Sequence, residues 1–138
     1  MSKTERMFHA ILFEILAILI SIFAVKLIST HSTKQTTVVI VAISVIAIFW
    51  NMIFNWVFDC FFTESRETRT VKLRIFHAIL FEGGLLIFTL PMIIYILNIP
   101  WLEAFLMDIG LTLLILIYTF FFNLIYDHIR ASIIKNSL

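Results

Sequence analysis

The fold of this chain is decided by a nine-residue block that occurs twice. Arg-Met-Phe-His-Ala-Ile-Leu-Phe-Glu at residues 6–14 returns as Arg-Ile-Phe-His-Ala-Ile-Leu-Phe-Glu at residues 74–82, with eight of nine positions identical. The offset of 68 residues (74 − 6) continues downstream, where Asn55 and Asp59 align with Asn123 and Asp127. Because self-similarity at a fixed period is typical of a duplicated structural unit, we predict two tandem copies, residues 1–66 and 67–138.

The composition indicates that a lipid bilayer is the solvent of this chain. Of its 138 residues, 62% are hydrophobic and 14% are charged, and the mean hydropathy is +1.06. A membrane-spanning helix needs about 20 mostly apolar residues, and four such stretches are present: Met7–Ile28, Val38–Phe62, Ile75–Leu97 and Trp101–Ile125. We therefore predict an all-α membrane protein with four transmembrane helices, in which each copy forms one helical hairpin.

The distribution of basic residues predicts the orientation of the helices. The face shared by both termini and the middle loop carries Lys3, Arg6, Arg66, Arg69, Lys72, Arg74, Arg130 and Lys135, whereas the other face carries only Lys26 and Lys34. Cytoplasmic loops carry the excess of Lys and Arg, so both termini are expected in the cytoplasm. The two hairpins then enter from the same side, which makes them a parallel repeat.

Each copy carries one glutamate inside its first membrane span. Glu14 and Glu82 follow Arg6 and Arg74 by eight residues, which is about 12 Å along a helix at roughly 1.5 Å per residue. Ionised groups are costly in hydrocarbon, so they usually face a cavity and mark an ion or substrate path. A proton and an organic cation could compete for such a carboxylate, and we predict this exchange for at least one of the two. The alternative is that both acids only join helices by hydrogen bonds.

The second helix of each copy carries a polar stripe with four-residue spacing. The stripes consist of Asn51, Asn55 and Asp59 in the first copy and of Thr119, Asn123 and Asp127 in the second. In an antiparallel hairpin the aspartates fall level with the entry arginines, so we predict structural ion pairs Arg6–Asp59 and Arg74–Asp127. Aromatic faces attract cations, and the predicted substrate cavity combines these amides and hydroxyls with aromatic side chains and the second acid: Glu82, Trp50, Asn51, Asn55, Thr119, Asn123, Phe13 and Phe81.

Three further features bear on the chemistry. His9 and His77 lie on the same broad arc as the acids, where they could relay protons or simply hydrogen-bond near the headgroup layer. Asp108 aligns with Ile40 and thus breaks the repeat; it could pair with Lys26 or assist release of a cation on the outer side. Gly83 and Gly84 replace the Ile15 and Leu16 of the first copy, which favours close approach of a neighbouring helix there.

Several function classes are disfavoured by the composition. Cys60 is the single cysteine, which excludes an intrachain disulfide and a multi-cysteine metal cage. The net charge of +1 comes without a dense basic cluster, so nucleic acid is not an expected partner. The sequence has no nucleophile–base arrangement and no phosphate-binding glycine loop. We therefore predict no enzymatic activity, no metal and no cofactor beyond the proton.

The duplicated blocks resemble a known family. The repeated Arg-x-x-His-Ala-x-x-Phe-Glu motif resembles the bacterial transmembrane pair domain of the proteobacterial antimicrobial compound efflux (PACE) transporters. The stripe residues resemble the accompanying motifs of that family: Trp50, Asn51, Phe54, Asn55, Phe58 and Asp59, and then Tyr118, Thr119, Phe120, Asn123, Tyr126 and Asp127. The similarity covers nearly the whole chain in the same order.

The resemblance implies a four-helix antiporter of the bacterial inner membrane. Such a protein exports cationic biocides such as chlorhexidine, and in some members short diamines, in exchange for protons, with Glu14 as the residue that couples proton and drug. A bundle of four helices encloses little space, so we expect a homodimer. The small multidrug resistance family also uses a glutamate in its first helix, but its chains are shorter and lack this duplication. From another class, a structural or assembly subunit would use the acids only to lock helices together.

Overall fold

The computed structural model describes residues 1–137, and within them all regular structure is helical. Four long helices follow one another: α1 (Lys3–Ile28), α2 (Thr33–Phe61), α3 (Val71–Leu97) and α4 (Trp101–Asn136), with a 3-10 turn at Arg66–Thr68 between α2 and α3. All four are long and apolar enough to cross a membrane. The predicted all-α class with four membrane helices is thereby confirmed.

Local signals explain where the helices begin and end. The side chains of Ser2, Ser32 and Thr70 each accept a hydrogen bond from a backbone N–H in the first turn of α1, α2 and α3, which satisfies a donor that the helix leaves free. Asn98 ends α3 in the left-handed conformation, with φ of 51°. These caps place the helix starts a few residues before the apolar spans predicted from hydropathy.

The fourth helix is much longer than its apolar stretch. The predicted span ends at Ile125, but α4 continues to Asn136. The additional turns are amphipathic rather than uniformly apolar, and Arg130 in this extension forms an ion pair with Glu5 of α1. Hydropathy identifies an apolar stretch that is long enough to cross lipid. It does not detect the part of a helix that continues beyond that stretch.

The chain divides into two compact units. Unit 1 consists of Met1–Thr30 together with the residues from Ile109 onward, and unit 2 consists of His31–Asp108. Unit 1 therefore contains α1 and most of α4, whereas unit 2 contains α2, α3 and the first turns of α4. The copies predicted at 1–66 and 67–138 follow the repeat in the sequence. The packing units are divided differently, because each contains helices from both copies.

A buried hydrophobic cluster of unit 2 lies where the end of α3 and the start of α4 meet α2. Val39, Ile93, Leu97, Ile99 and Ala104 form a buried cluster, and His31 Nε2 donates to the carbonyl oxygen of Leu97 at 3.0 Å. Elsewhere the helices expose many large apolar side chains, among them Phe61 and Ile28, which are each 79% exposed. Side chains of this kind are expected to face lipid in a membrane-spanning bundle.

Candidate functional site

In unit 1, α1 and α4 are joined by hydrogen bonds and aromatic contacts. His9 Nε2 is hydrogen-bonded to Asn123 Oδ1 at 3.2 Å, and the Tyr118 hydroxyl donates to the carbonyl oxygen of Phe13 at 2.9 Å. The His9 ring meets Phe122 and Tyr126 edge-on, with centroid distances of 5.1 Å and 4.5 Å. The result is an aromatic wall at the level of the predicted site.

Unit 2 contains the repeat-equivalent contacts between α3 and α2. His77 Nε2 is hydrogen-bonded to Asn55 Oδ1 at 2.9 Å, and Trp50 Nε1 donates to the carbonyl oxygen of Phe81 at 2.9 Å. The His77 ring lies edge-on to Phe54 and Phe58, at 5.0 Å and 4.6 Å. These contacts are related to those of unit 1 by the 68-residue repeat: His9 corresponds to His77, and Asn123 corresponds to Asn55. Each packing unit thus joins the first helix of one copy to the second helix of the other.

The two units differ in side-chain size at one matched pair of positions. Gly84 lies directly under the Trp50 indole, and a Cβ added there would overlap the ring. The repeat equivalents in unit 1 are Leu16, from the first copy, and the smaller Tyr118, from the second. A glycine therefore accommodates the larger aromatic ring in unit 2, which is the close approach that Gly83-Gly84 predicted. Gly83 itself faces open space.

Each membrane acid directly follows a ring residue of these aromatic walls in sequence, Glu14 after Phe13 and Glu82 after Phe81. Glu14 is half-buried, and it lies within electrostatic range of the Tyr118 hydroxyl. Among residues 1–137, no basic side chain forms an ion pair with Glu14. Glu82 is also half-buried. In unit 1 an acid therefore stands next to a phenol and a ring cluster, an arrangement that can receive a proton or an organic cation.

Several predicted polar residues are occupied by contacts within their own helix. Asn55 Nδ2 donates to Asn51 Oδ1 at 2.5 Å and to the Asn51 carbonyl oxygen at 2.8 Å. The Thr119 hydroxyl donates to the carbonyl oxygen of Ile115 at 2.6 Å. The hydroxyl proton of Thr119 is thus directed to the helix backbone, whereas Asn55 joins the stripe of α2 to His77.

The described contacts of Asp59 and Arg74 lie within unit 2. Asp59 pairs with Arg66 and Arg69, at 2.9 Å and 2.5 Å, because the 3-10 turn brings these two arginines of the loop back to it. The guanidinium of Arg74 donates to the backbone carbonyl oxygens of residues 66, 67 and 69. The pairs predicted for Arg6 with Asp59 and for Arg74 with Asp127 join residues of different units and stay predictions. The Glu5–Arg130 pair was missed because α4 was expected to end before Arg130.

Asp108 is the most deeply buried acid among the described residues. It is only 4% exposed, and the Thr89 hydroxyl donates to its Oδ2 at 2.5 Å. The ion pair with Lys26 stays a prediction, and the contact described within unit 2 is the one with Thr89. No signal in the sequence distinguished Thr89 from the other hydroxyl residues.

A cavity of about 470 Å³ lies in unit 1 at the predicted cytoplasmic end of α1 and α4. Its wall consists of Glu5, Phe8, Leu12, Tyr126, Ile129, Arg130, Ile133 and Ile134. The wall is mostly apolar and includes the Glu5–Arg130 ion pair. None of the residues predicted to line the substrate cavity belongs to it, although Leu12 is only two residues from Glu14. Among residues 1–137, no group of three metal-ligating side chains is found.

Comparisons with known proteins agree with these features. A family model described as "Chlorhexidine efflux transporter" matches residues 1–64 and 69–132. A short-chain diamines transporter of Acinetobacter baumannii is 43% identical over 133 residues, covering 96% of this chain and 92% of that protein. A protein of the same name from Acinetobacter baylyi is 42% identical, covering 94% and 92%, and one from Vibrio parahaemolyticus is 35% identical, covering 94% and 93%. No solved structure matches.

These matches also bear on location. Transporters of this family with four apolar helices are multi-pass proteins of the bacterial inner membrane, and this chain has both properties. The chain belongs to the chlorhexidine efflux transporter family, the PACE family that its duplicated motif resembles.

Proposed function

We propose that this chain is a proton-coupled antiporter that exports organic cations with two positive centres: short-chain diamines and lipophilic biocides of the chlorhexidine type. Membership of the family and the names of three relatives support transport of such compounds. A structural or assembly subunit is less favoured, because these relatives are transporters by name. Transport also accounts for acids kept inside a membrane protein, whereas catalysis would need a nucleophile or metal arrangement.

The observation that carries the proposal is the placement of Glu14. This carboxyl group is half-buried in a membrane helix beside Tyr118, and it has no ion-pair partner among residues 1–137. A carboxylate at such depth is most stable when a proton or a bound cation neutralises it. Proton and substrate therefore exclude each other at Glu14, and this exclusion is the requirement for exchange transport.

The remaining residues serve binding and release in this scheme. Phe13, Tyr118 and Phe122 form a ring cluster whose Tyr118 is within electrostatic range of Glu14, and aromatic side chains beside a carboxylate suit a delocalised cation such as a biguanide. The cavity of about 470 Å³ has the size of a small-molecule site, and we assign it to the entry of apolar substrate portions from the cytoplasmic side. Asp108 lies toward the opposite end, where a carboxyl group held by Thr89 assists release of the cation.

Transport by reconstituted protein tests the proposal. In proteoliposomes containing an entrapped pH-sensitive dye, added 1,4-diaminobutane or chlorhexidine should expel protons, and the luminal pH should rise faster than in protein-free liposomes. Glu14→Gln should reduce this response to the protein-free rate, because an amide cannot exchange a proton. Glu103→Gln is the matched control, since Glu103 is exposed in the first turn of α4, and it should transport normally.

Two results would contradict the proposed mechanism. Full proton-linked transport by Glu14→Gln would remove Glu14 from the coupling step. A wild-type response equal to that of protein-free liposomes for both substrates would argue against exchange of protons for dications. The proposed homodimer is tested separately by measuring the mass of the purified protein with and without substrate.

A further inference from the structure

A small basic cavity, open to its surroundings, lies beside the loop between α2 and α3. Its volume is about 270 Å³, and it is lined by Asn55, Arg66, Arg69, Arg74 and His77. All five side chains belong to unit 2 and to the face predicted to be cytoplasmic. Asn55 and His77 were also predicted for the substrate cavity and the proton relay, but neither the proposed transport path nor the family comparison assigns a role to the three arginines.

The basic cavity carries an excess of positive charge. Its three arginines are balanced by one directly bound carboxylate, that of Asp59, which pairs with Arg66 and Arg69. The guanidinium of Arg74 donates only to backbone carbonyl oxygens, so its charge has no carboxylate partner there. Glu64 and Glu67 lie in the same loop, but both are exposed and neither lines the cavity.

Arg69 supplies a second, independent observation. Its side chain is 7% exposed, and its Nε is buried without a hydrogen-bond acceptor among residues 1–137. The guanidinium also stacks over the Phe58 ring, with 5.4 Å between Cζ and the ring centroid. Buried polar groups are nearly always hydrogen-bonded, so a charged side chain of the cavity wall keeps one donor for which the described residues supply no acceptor.

The surroundings identify the chemistry of that acceptor. Arginine forks bind phosphate oxygens with paired hydrogen bonds, and the basic cavity lies at the N-terminal end of α3, where the helix dipole favours an anion. Phe61 and Val71 beside the loop are 79% and 73% exposed, as expected for side chains that meet acyl chains. Basic pockets on the cytoplasmic side of membrane helices suit anionic lipid headgroups.

We infer that the basic cavity binds the phosphodiester of an anionic phospholipid from the cytoplasmic leaflet, with Arg69 and Arg74 as the main contacts. The lipid would cross-link the loop to the start of α3 and thereby stabilise unit 2. This inference does not depend on proton coupling or on the identity of the transported substrate.

Native mass spectrometry and thermal denaturation of the purified full-length chain test the inference. Phosphatidylglycerol added to the detergent-solubilised protein should bind and raise the denaturation temperature, whereas phosphatidylcholine and millimolar inorganic phosphate should have much smaller effects. Arg69→Gln and Arg74→Gln should each weaken phosphatidylglycerol binding by about tenfold, since each removes a charge-assisted contact. Lys72→Gln is the matched control, because Lys72 is exposed on α3 and does not line the cavity, and it should change binding less than about twofold.

Each outcome decides between sources of the anion. If Lys72→Gln weakened phosphatidylglycerol binding as much as the arginine substitutions, the lipid would be held by diffuse attraction to basic residues, and the inference would be overturned. Protection by inorganic phosphate without protection by phosphatidylglycerol would overturn the lipid assignment. If Arg69→Gln fails to fold because Asp59 loses a partner, Arg74→Gln retains the test, since Arg74 has no carboxylate partner within unit 2.

Discussion

Substitution of Gly84 by alanine tests the packing of the two repeat-related walls. A Cβ at position 84 would overlap Trp50 Cζ2 and lie 2.9 Å from Cη2 and 3.1 Å from Cε2, whereas ordinary contact begins at 3.4 Å. The ring would have to withdraw, and its hydrogen bond to the Phe81 carbonyl oxygen, now 2.9 Å long, would stretch or break. Gly83→Ala is the matched control, because a Cβ at position 83 meets nothing within 4 Å.

The expected magnitude follows from three opposing terms. Overpacking costs about 1–3 kcal/mol, and loss of the indole hydrogen bond costs about 0.5–1.5 kcal/mol. Alanine is favoured over glycine inside a helix by about 1 kcal/mol. We therefore expect Gly84→Ala to lower the free energy of unfolding by about 0.5–3.5 kcal/mol. Gly83→Ala gains only the helix term and should be stabilised by up to about 1 kcal/mol.

The assay is equilibrium unfolding in mixed micelles, followed by circular dichroism and by tryptophan fluorescence. Trp50→Tyr in the Gly84→Ala background should recover part of the loss, since unit 1 already combines Tyr118 with the larger Leu16 at the matched positions. Equal stability of the two alanine variants, or a failure of the smaller ring to restore stability, would refute the packing argument.

The remaining predictions concern hydrogen bonds and the cavity of unit 1. Tyr118→Phe keeps the ring contact with Phe13 but removes a hydrogen bond, so unfolding free energy should fall by about 0.5–1.5 kcal/mol; an unchanged value would show that this bond contributes nothing. Thr89→Val leaves the buried Asp108 carboxylate without its hydrogen-bond donor and should lower the free energy of unfolding by about 1–3 kcal/mol. Asp108→Asn should lower it by less, and the reverse order would contradict the role of Thr89 as the donor. Leu12→Trp should fill part of the cavity of about 470 Å³. In a fluorescence titration it should weaken chlorhexidine binding several-fold and leave binding of a short diamine unchanged. Equal weakening of both would show that this cavity does not contribute to substrate selectivity.

Part of the candidate site could be found without a structure. Glu14 and Glu82 stand out because an acid in an apolar span is costly, and Gly84 stands out because its repeat equivalent is Leu16. The partners of Asp59 could not be found in this way, since a short turn brings Arg66 and Arg69 back to it. The Glu5–Arg130 pair and the cavity beside it required the true length of α4.

The amino-acid sequence alone determined that the chain has four membrane helices, two copies of one motif and an acid in the first span of each. These are local properties, because lipid selects for apolar length and because duplicated residues are visible wherever they pack. The sequence could not determine which helices meet. His9 and His77 stand in nearly identical blocks, and so do Asn55 and Asn123, so either histidine is complementary to either asparagine. Tertiary packing decided the matter, joining His9 to Asn123 and His77 to Asn55 across the two copies.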